Sequence, residues 1–235
     1  MSREPILPHL VKNLHFYTII LYDTHAKGQN MLKKILIITI ALGCLAGAYI
    51  SGFYSNHTKG NQNMNYIFIA DKKEANNIKI PNELKDNVKI IVLNEWGETA
   101  VIQTLSEKLL NGEFKKGDRF FNIGYVGSNE FPIGKVVVVG TVSRENPSHT
   151  VKEPTFTLDK ESKVKCYSSL DFVESTKHTG VFDMELYTFA TFFPNIKSVK
   201  IVSDNLNFHE FEQVTIDNAW EKANEILFNM ISNGK

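Results

Sequence analysis

From residue 64 onward, short apolar runs alternate with segments whose apolar residues recur at helical spacing. Residues 65–70 (NYIFIA) and 88–93 (VKIIVL) are rich in β-branched and aromatic residues and predict strands. Glu98–Leu110 repeats Val101, Ile102, Leu105 and Leu109 on one helical face. Residues 119–126 and 134–142 predict further strands, the second through the run Val136-Val137-Val138-Val139. Residues 183–193 predict a helix ended by Pro194, and 199–202 a strand that runs into Ser203-Asp204. Residues 215–231 predict a final amphipathic helix with Trp220, Ala223, Leu227 and Met230 on one face. Nearly continuous apolar strands interleaved with helices predict an α/β fold, a central mixed β-sheet flanked by helices, in one domain over 64–235. In such sheets ligands sit off the strand ends.

The chain ahead of this domain has a different pattern. Residues 35–53 (ILIITIALGCLAGAYISGF) carry no charge and follow Lys33 and Lys34. As a helix they would span about 28 Å, close to the ~30 Å hydrocarbon core of a bilayer. Residues 31–63 therefore predict a signal or anchor segment followed by a polar linker, with the domain exported or membrane-anchored; it would be cytoplasmic only if that segment is not a signal. Ala46-Gly47-Ala48 has the form of a cleavage site, and the pattern leaves cleavage and retention open. Residues 1–30 are expected to be an unstructured N-terminal extension.

Composition narrows the function. Lys+Arg and Asp+Glu are 26 each, so no overall basic field exists for gripping nucleic acid. The two cysteines, Cys44 and Cys166, cannot build a disulfide framework, and the seven scattered histidines carry no metal-binding spacing. No metal and no organic cofactor is expected. Arginine is scarce: Arg119 and Arg144 are the two beyond residue 63, which limits any site that needs several bidentate phosphate clamps.

Four features carry candidate chemistry. Glu74 follows the first strand. The segment Asn122-Ile123-Gly124-Tyr125-Val126-Gly127-Ser128 reads as a turn at a strand end, where glycines let backbone approach a small ligand. Asp183-Met184-Glu185 is a carboxylate pair opening a helix, and Ser203-Asp204-Asn205 follows an apolar strand. Each has a plain structural reading beside the functional one: a solvated charge, a turn, a helix cap or a loop start.

In order, these features resemble the nucleoside phosphorylase/nucleosidase superfamily, and within it the 5′-methylthioadenosine/S-adenosylhomocysteine nucleosidases. The resemblance covers about 64–235 and is carried by VFDMELYTFA (181–190), KIVSDN (200–205), NIGYVGS (122–128) and IADKKEA (69–75). It implies Asp204 as the general acid that protonates the departing purine, with Ser203 beside it, and Glu74 as the residue that activates the attacking water. It implies Glu185 as the acceptor for the ribose hydroxyls, Met184 against the sugar, Phe172 stacked on the base and the Val173 backbone reading the base edge. Gly124 and Tyr125 belong to the segment next to the ligand. The chemistry fits: cleavage of an N-glycosidic bond builds positive charge on the sugar and negative charge on the base, and two carboxyl groups in opposite protonation states serve both needs.

The sequence departs from the family pattern at Tyr125, which is expected to narrow the pocket or reshape the water site, and at Leu186 and Tyr187, where the family prefers small residues. Arg144 is the one reasonable phosphate ligand. The expected activity is therefore hydrolysis of a purine nucleoside resembling methylthioadenosine or adenosylhomocysteine. A phosphate-dependent phosphorylase is one alternative, and a membrane-tethered, non-catalytic nucleoside or nucleobase binder another. The expected partners are a small-molecule nucleoside, the membrane through 35–53 if that segment is uncleaved, and, by the resemblance, a second copy in a homodimer; no nucleic acid is expected.

Overall fold

The computed structural model describes residues 63–93, 95–146, 153–213 and 216–234. The extension 1–30, the hydrophobic segment 35–53 and the linker up to residue 62 lie outside the described residues. Within them, no helix is long and apolar enough to cross a membrane.

Among the described residues, nine strands form one mixed sheet: β1 (Asn65–Ile69), β2 (Val88–Val92), β3 (Arg119–Ser128), β4 (Val136–Val138), β5 (Thr141–Arg144), β6 (Phe156–Thr157), β7 (Lys165–Ser168), β8 (Val181–Asp183) and β9 (Lys197–Asp204). The helices are α1 (Lys72–Ala75), α2 (Glu98–Leu110), α3 (Leu186–Phe192), α4 (Phe208–Gln213) and α5 (Asp217–Asn233). β3 is the spine. It runs parallel to β1 on one edge and to β9 on the other, and β2 and β4 extend the sheet beyond them. Near its C-terminal end β3 leaves β1 and pairs antiparallel with β8, through Gly127↔Phe182, which leads into β7, β5 and β6.

Both faces are covered, which is why the strands are apolar nearly throughout. Alternation along β1 sends Tyr66 and Phe68 to one core, with Leu105 of α2 and Phe189 of α3, and Ile67 and Ile69 to the other, with Trp220, Ala223 and Leu227 of α5. Phe68 stacks on Phe189 at 4.8 Å, and Phe120 on Phe193 at 3.8 Å. Arg119 closes the C-terminal end of α5 by donating to the Met230 and Ile231 carbonyls, 2.7 and 2.8 Å away.

Several predicted boundaries change. The Val-rich segment is two strands, β4 on β9 and β5 on β7, divided at Val139-Gly140. Gly140 lies against the Ser162 carbonyl, where a Cβ has no room. Residues 122–128 are not a turn but the second half of β3. Asp183 does not open a helix; it ends β8, and α3 begins at Leu186. Its carboxylate nevertheless caps the first turn, since Oδ2 accepts the Leu186 N–H at 3.2 Å.

Candidate active site

The C-terminal ends of β1, β3 and β9 lie side by side because these strands are mutually parallel. β8 delivers its own end to the same place. A cavity of about 230 Å³ opens there, and Glu74, Glu185 and Asp204 all line it, as do Met184, Ser203, Tyr125, Phe172 and Val173. Three acids spread over 131 positions of sequence thus share one space.

Glu74 sits in the single turn of α1, capped by Asp71, whose Oδ1 accepts the Glu74 N–H at 2.9 Å. Its side chain is buried against β3: Oε1 accepts the Tyr125 N–H at 2.7 Å, and buried Oε2 has no hydrogen-bond partner among the described residues. Burial pushes its pKa up to about 8, against the pull of the Tyr125 N–H and the Lys200 charge. Gly124 does not line the cavity. It makes room for this carboxyl group, since a Cβ there would stand 3.0 Å from Oε1 and 3.2 Å from Oε2.

Asp204 ends β9. The β3–β9 register slips by one residue between Val126↔Val202 and Gly127↔Asp204, so Ser203 is bulged and Asp204 lies opposite Gly127. A Cβ on Gly127 would come within 2.7 Å of Asp204 Oδ1, so only glycine leaves the carboxyl its place. Oδ1 accepts the Leu206 N–H at 2.9 Å. The single Ser203 hydroxyl proton has two acceptors, Asp204 Oδ2 at 2.7 Å and the Val126 carbonyl at 3.1 Å. Burial raises the Asp204 pKa above the ordinary range, with these hydrogen bonds opposing it.

Glu185 is buried, and its Oε1 accepts the Gly97 N–H at 2.7 Å. Burial and neighbouring Asp183 raise its pKa. Beneath it lies a charged residue that sequence reasoning missed. Lys200 of β9 is 2% exposed and donates to Asp183 Oδ2 at 2.8 Å. Burial works against the ammonium, but Asp183, Cys166 and Glu185 outweigh it, and the Lys200 pKa ends above its usual value.

The rest of the wall is aromatic. Phe172 meets Phe208 edge-on at 5.3 Å and Phe211 at 6.2 Å. Trp96 stands at the lip, its indole N–H 3.3 Å from Asp71 Oδ2 and its ring 5.9 Å from Phe211. The irregular segment carrying Phe172 and Val173 is tied down at its far end. Thr176 donates to Glu145, and Asn129 bridges the His178 carbonyl and the Gly180 N–H. Trp96, Phe208, Phe211 and Asp71 were also missed from sequence; their shared apolar or acidic character next to the strand ends was the available signal.

Tyr125, expected to narrow the pocket or reshape the water site, borders the cavity without filling it. On β3 it shares parity with Phe121 and Ile123, so its ring turns to the α5 face and its hydroxyl accepts the Trp220 indole N–H at 2.6 Å. Tyr187 is buried in the opposite core. Arg144 is not a cavity residue: it pairs with Glu98, approaches Glu153 at 3.7 Å and lies 4.4 Å over the Tyr187 ring. Among the described residues, no group of three or more His, Cys, Asp or Glu is placed to hold a metal ion.

The Glu74 environment predicts a pH-dependent stability. Its folded pKa is raised from the ordinary 4.5 to about 8, so its contribution is complete below 4.5 and is lost as pH rises through about 8. Glu74→Gln is expected to melt higher than the parent at pH 9, by on the order of 1–2 kcal/mol, and level with it at pH 5. Scanning calorimetry at the two pH values measures the difference.

Comparison with solved structures decides the architecture. The fold is the nucleosidase fold. The methylthioadenosine/adenosylhomocysteine nucleosidase of Helicobacter pylori, solved with butyl-thio-DADMe-Immucillin-A, superposes with a TM-score of 0.58 at 13% identity, over 74% of this chain and 99% of that one. The MTAN of Chlamydia trachomatis gives a TM-score of 0.54 at 18% identity, over 73% and 98%. Futalosine hydrolase of H. pylori gives 0.57 at 13%, over 72% and 97%. No protein-family model and no curated protein matches the sequence. At these identities the nucleosidase likeness establishes the fold.

Proposed function

We propose that this protein hydrolyses the N-glycosidic bond of a purine nucleoside, one resembling methylthioadenosine or adenosylhomocysteine. The convergence of Glu74, Glu185 and Asp204 on one cavity carries the reading. The aromatic wall of Phe172, Phe208 and Phe211 suits the face of a flat heterocycle. Asp204, whose proton affinity burial raises, gives its proton to the leaving base. Glu185 accepts from the sugar hydroxyls. The free oxygen of Glu74 takes a proton from the attacking water, and a base with a pKa of about 8 is matched to work near neutrality. The nucleosidases and the futalosine hydrolase that share the fold agree with this chemistry.

Hydrolysis is favoured over phosphorolysis because every ionisable residue assigned to the cavity wall, apart from Tyr125, is acidic. Asp71, Glu74, Asp171, Asp183, Glu185 and Asp204 line it, while Arg144 is spent on Glu98. An inorganic phosphate would enter without a cation to meet it. The hydrophobic segment 35–53 supports export or anchoring of the enzyme.

Incubating the full chain with methylthioadenosine, adenosylhomocysteine and adenosine, with and without phosphate, tests the reading by chromatography. Free base and free sugar in phosphate-free buffer are expected. Strict phosphate dependence would move the protein to the phosphorylases, and calorimetric binding of adenine with no product would leave a non-catalytic binder.

A further inference from the structure

The turn after Asp204 carries a backbone strain that needs a cause. Leu206 has φ +63°, and it is the one residue other than glycine with positive φ among those described. A branched side chain holds that conformation only where its surroundings impose it. What the conformation achieves is visible: it points the Leu206 N–H at Asp204 Oδ1, 2.9 Å away. The turn is held from α4. Glu210 Oε2 accepts both the Asn205 backbone N–H at 2.9 Å and the Asn205 side-chain amide at 3.3 Å, stapling the residue that joins Asp204 to Leu206. The same short helix presents Phe208 and Phe211 to the cavity.

We propose that Glu210 is the positioning residue of Asp204: by holding Asn205 it fixes the strained turn that aims the Asp204 carboxyl into the cavity. This rests on the reading of Asp204 as the general acid. Asp71, Glu74, Tyr125, Asp171, Asp183 and Glu185 share the cavity wall with Asp204, Lys200 lies on its own strand, and α4 carries His209 and Glu210. Of these, the Glu210 charge adds to the upward push that burial gives the Asp204 pKa.

The test is a ¹³C-aspartate NMR titration, with the Asp204 signal identified by its loss in Asp204→Asn, run beside the pH profile of kcat/KM. Glu210→Gln removes the charge and keeps an acceptor oxygen for Asn205. It is expected to move the Asp204 midpoint to lower pH, and the alkaline limb of kcat/KM with it. Glu210→Ala also loses the staple and is expected to lower kcat roughly 10- to 100-fold with little change in KM, the scale of a misplaced catalytic group; Gln recovers most of that kcat but not the midpoint. An Asp204 midpoint at its wild-type position in both variants overturns the proposal. A midpoint that moves in a protein turning over no nucleoside keeps the hold on Asp204 and removes the hydrolytic reading instead.

Discussion

Asp204→Asn is expected to abolish base release, by about 10³-fold or more in kcat, and to leave the fold and the affinity for adenine nearly unchanged. The substitution is isosteric. The amide oxygen still accepts the Leu206 N–H, and the amide nitrogen can donate to Ser203 Oγ, which then turns its own proton to the Val126 carbonyl. No buried polar atom around it loses its partner, so the melting temperature holds. What is lost is a transferable proton. An amide can donate a hydrogen bond to a purine nitrogen but cannot neutralise the negative charge that builds there as the bond to the sugar breaks. Product chromatography under single-turnover conditions, with a thermal melt of the same sample, separates these effects. Turnover at the wild-type rate would take the acid step away from Asp204.

The parts of this site that sequence reveals are those tied to strand ends. Glu74 and Asp204 each follow an apolar run that predicts a strand, while Glu185 is marked by its pairing with Asp183 and by the family resemblance of residues 181–190. The large core elements are legible for the same reason: α2 spans Glu98–Leu110 as its apolar spacing predicts, and α5 buries Trp220, Ala223 and Leu227 on one face. The short strands β6, β7 and β8 are two to four residues long, too brief for a period to show. The direction of the Tyr125 ring follows parity and not size, because a strand residue's face is set by its register: the ring joins the α5 face while the Tyr125 N–H meets Glu74 at the cavity. Arg144 was misjudged because its partner Glu98 lies far away in sequence, at the start of α2. Lys200 was hidden by its neighbours. A lone lysine in a strand ordinarily signals an exposed position, and only the burial of both sheet faces makes it a buried charge.

That buried charge gives the largest effect on stability. Lys200→Met is expected to cost about 3–5 kcal/mol, because it leaves the buried Asp183 carboxylate without its cation. Methionine fills most of the lysine's volume, so the loss is electrostatic and not a cavity. Asp183 keeps the Ser168 hydroxyl at 2.5 Å and the Leu186 N–H at 3.2 Å, but neither carries a full charge. Glu185 is next to it and itself loses a cation that favours its ionised form, so the carboxylate proposed to hold the sugar is affected along with the fold. The double variant Lys200→Met/Asp183→Asn isolates the cause. With the stranded charge gone, Asn can still accept from Ser168 or Leu186, and a large share of the lost stability is expected to return. Urea unfolding of the parent, both single variants and the double variant measures the coupling. Additive losses in that cycle would mean that Lys200 supports the sheet by packing alone; a strongly positive coupling means that the ion pair under the cavity lets two adjacent acids, Asp183 and Glu185, remain side by side at its wall.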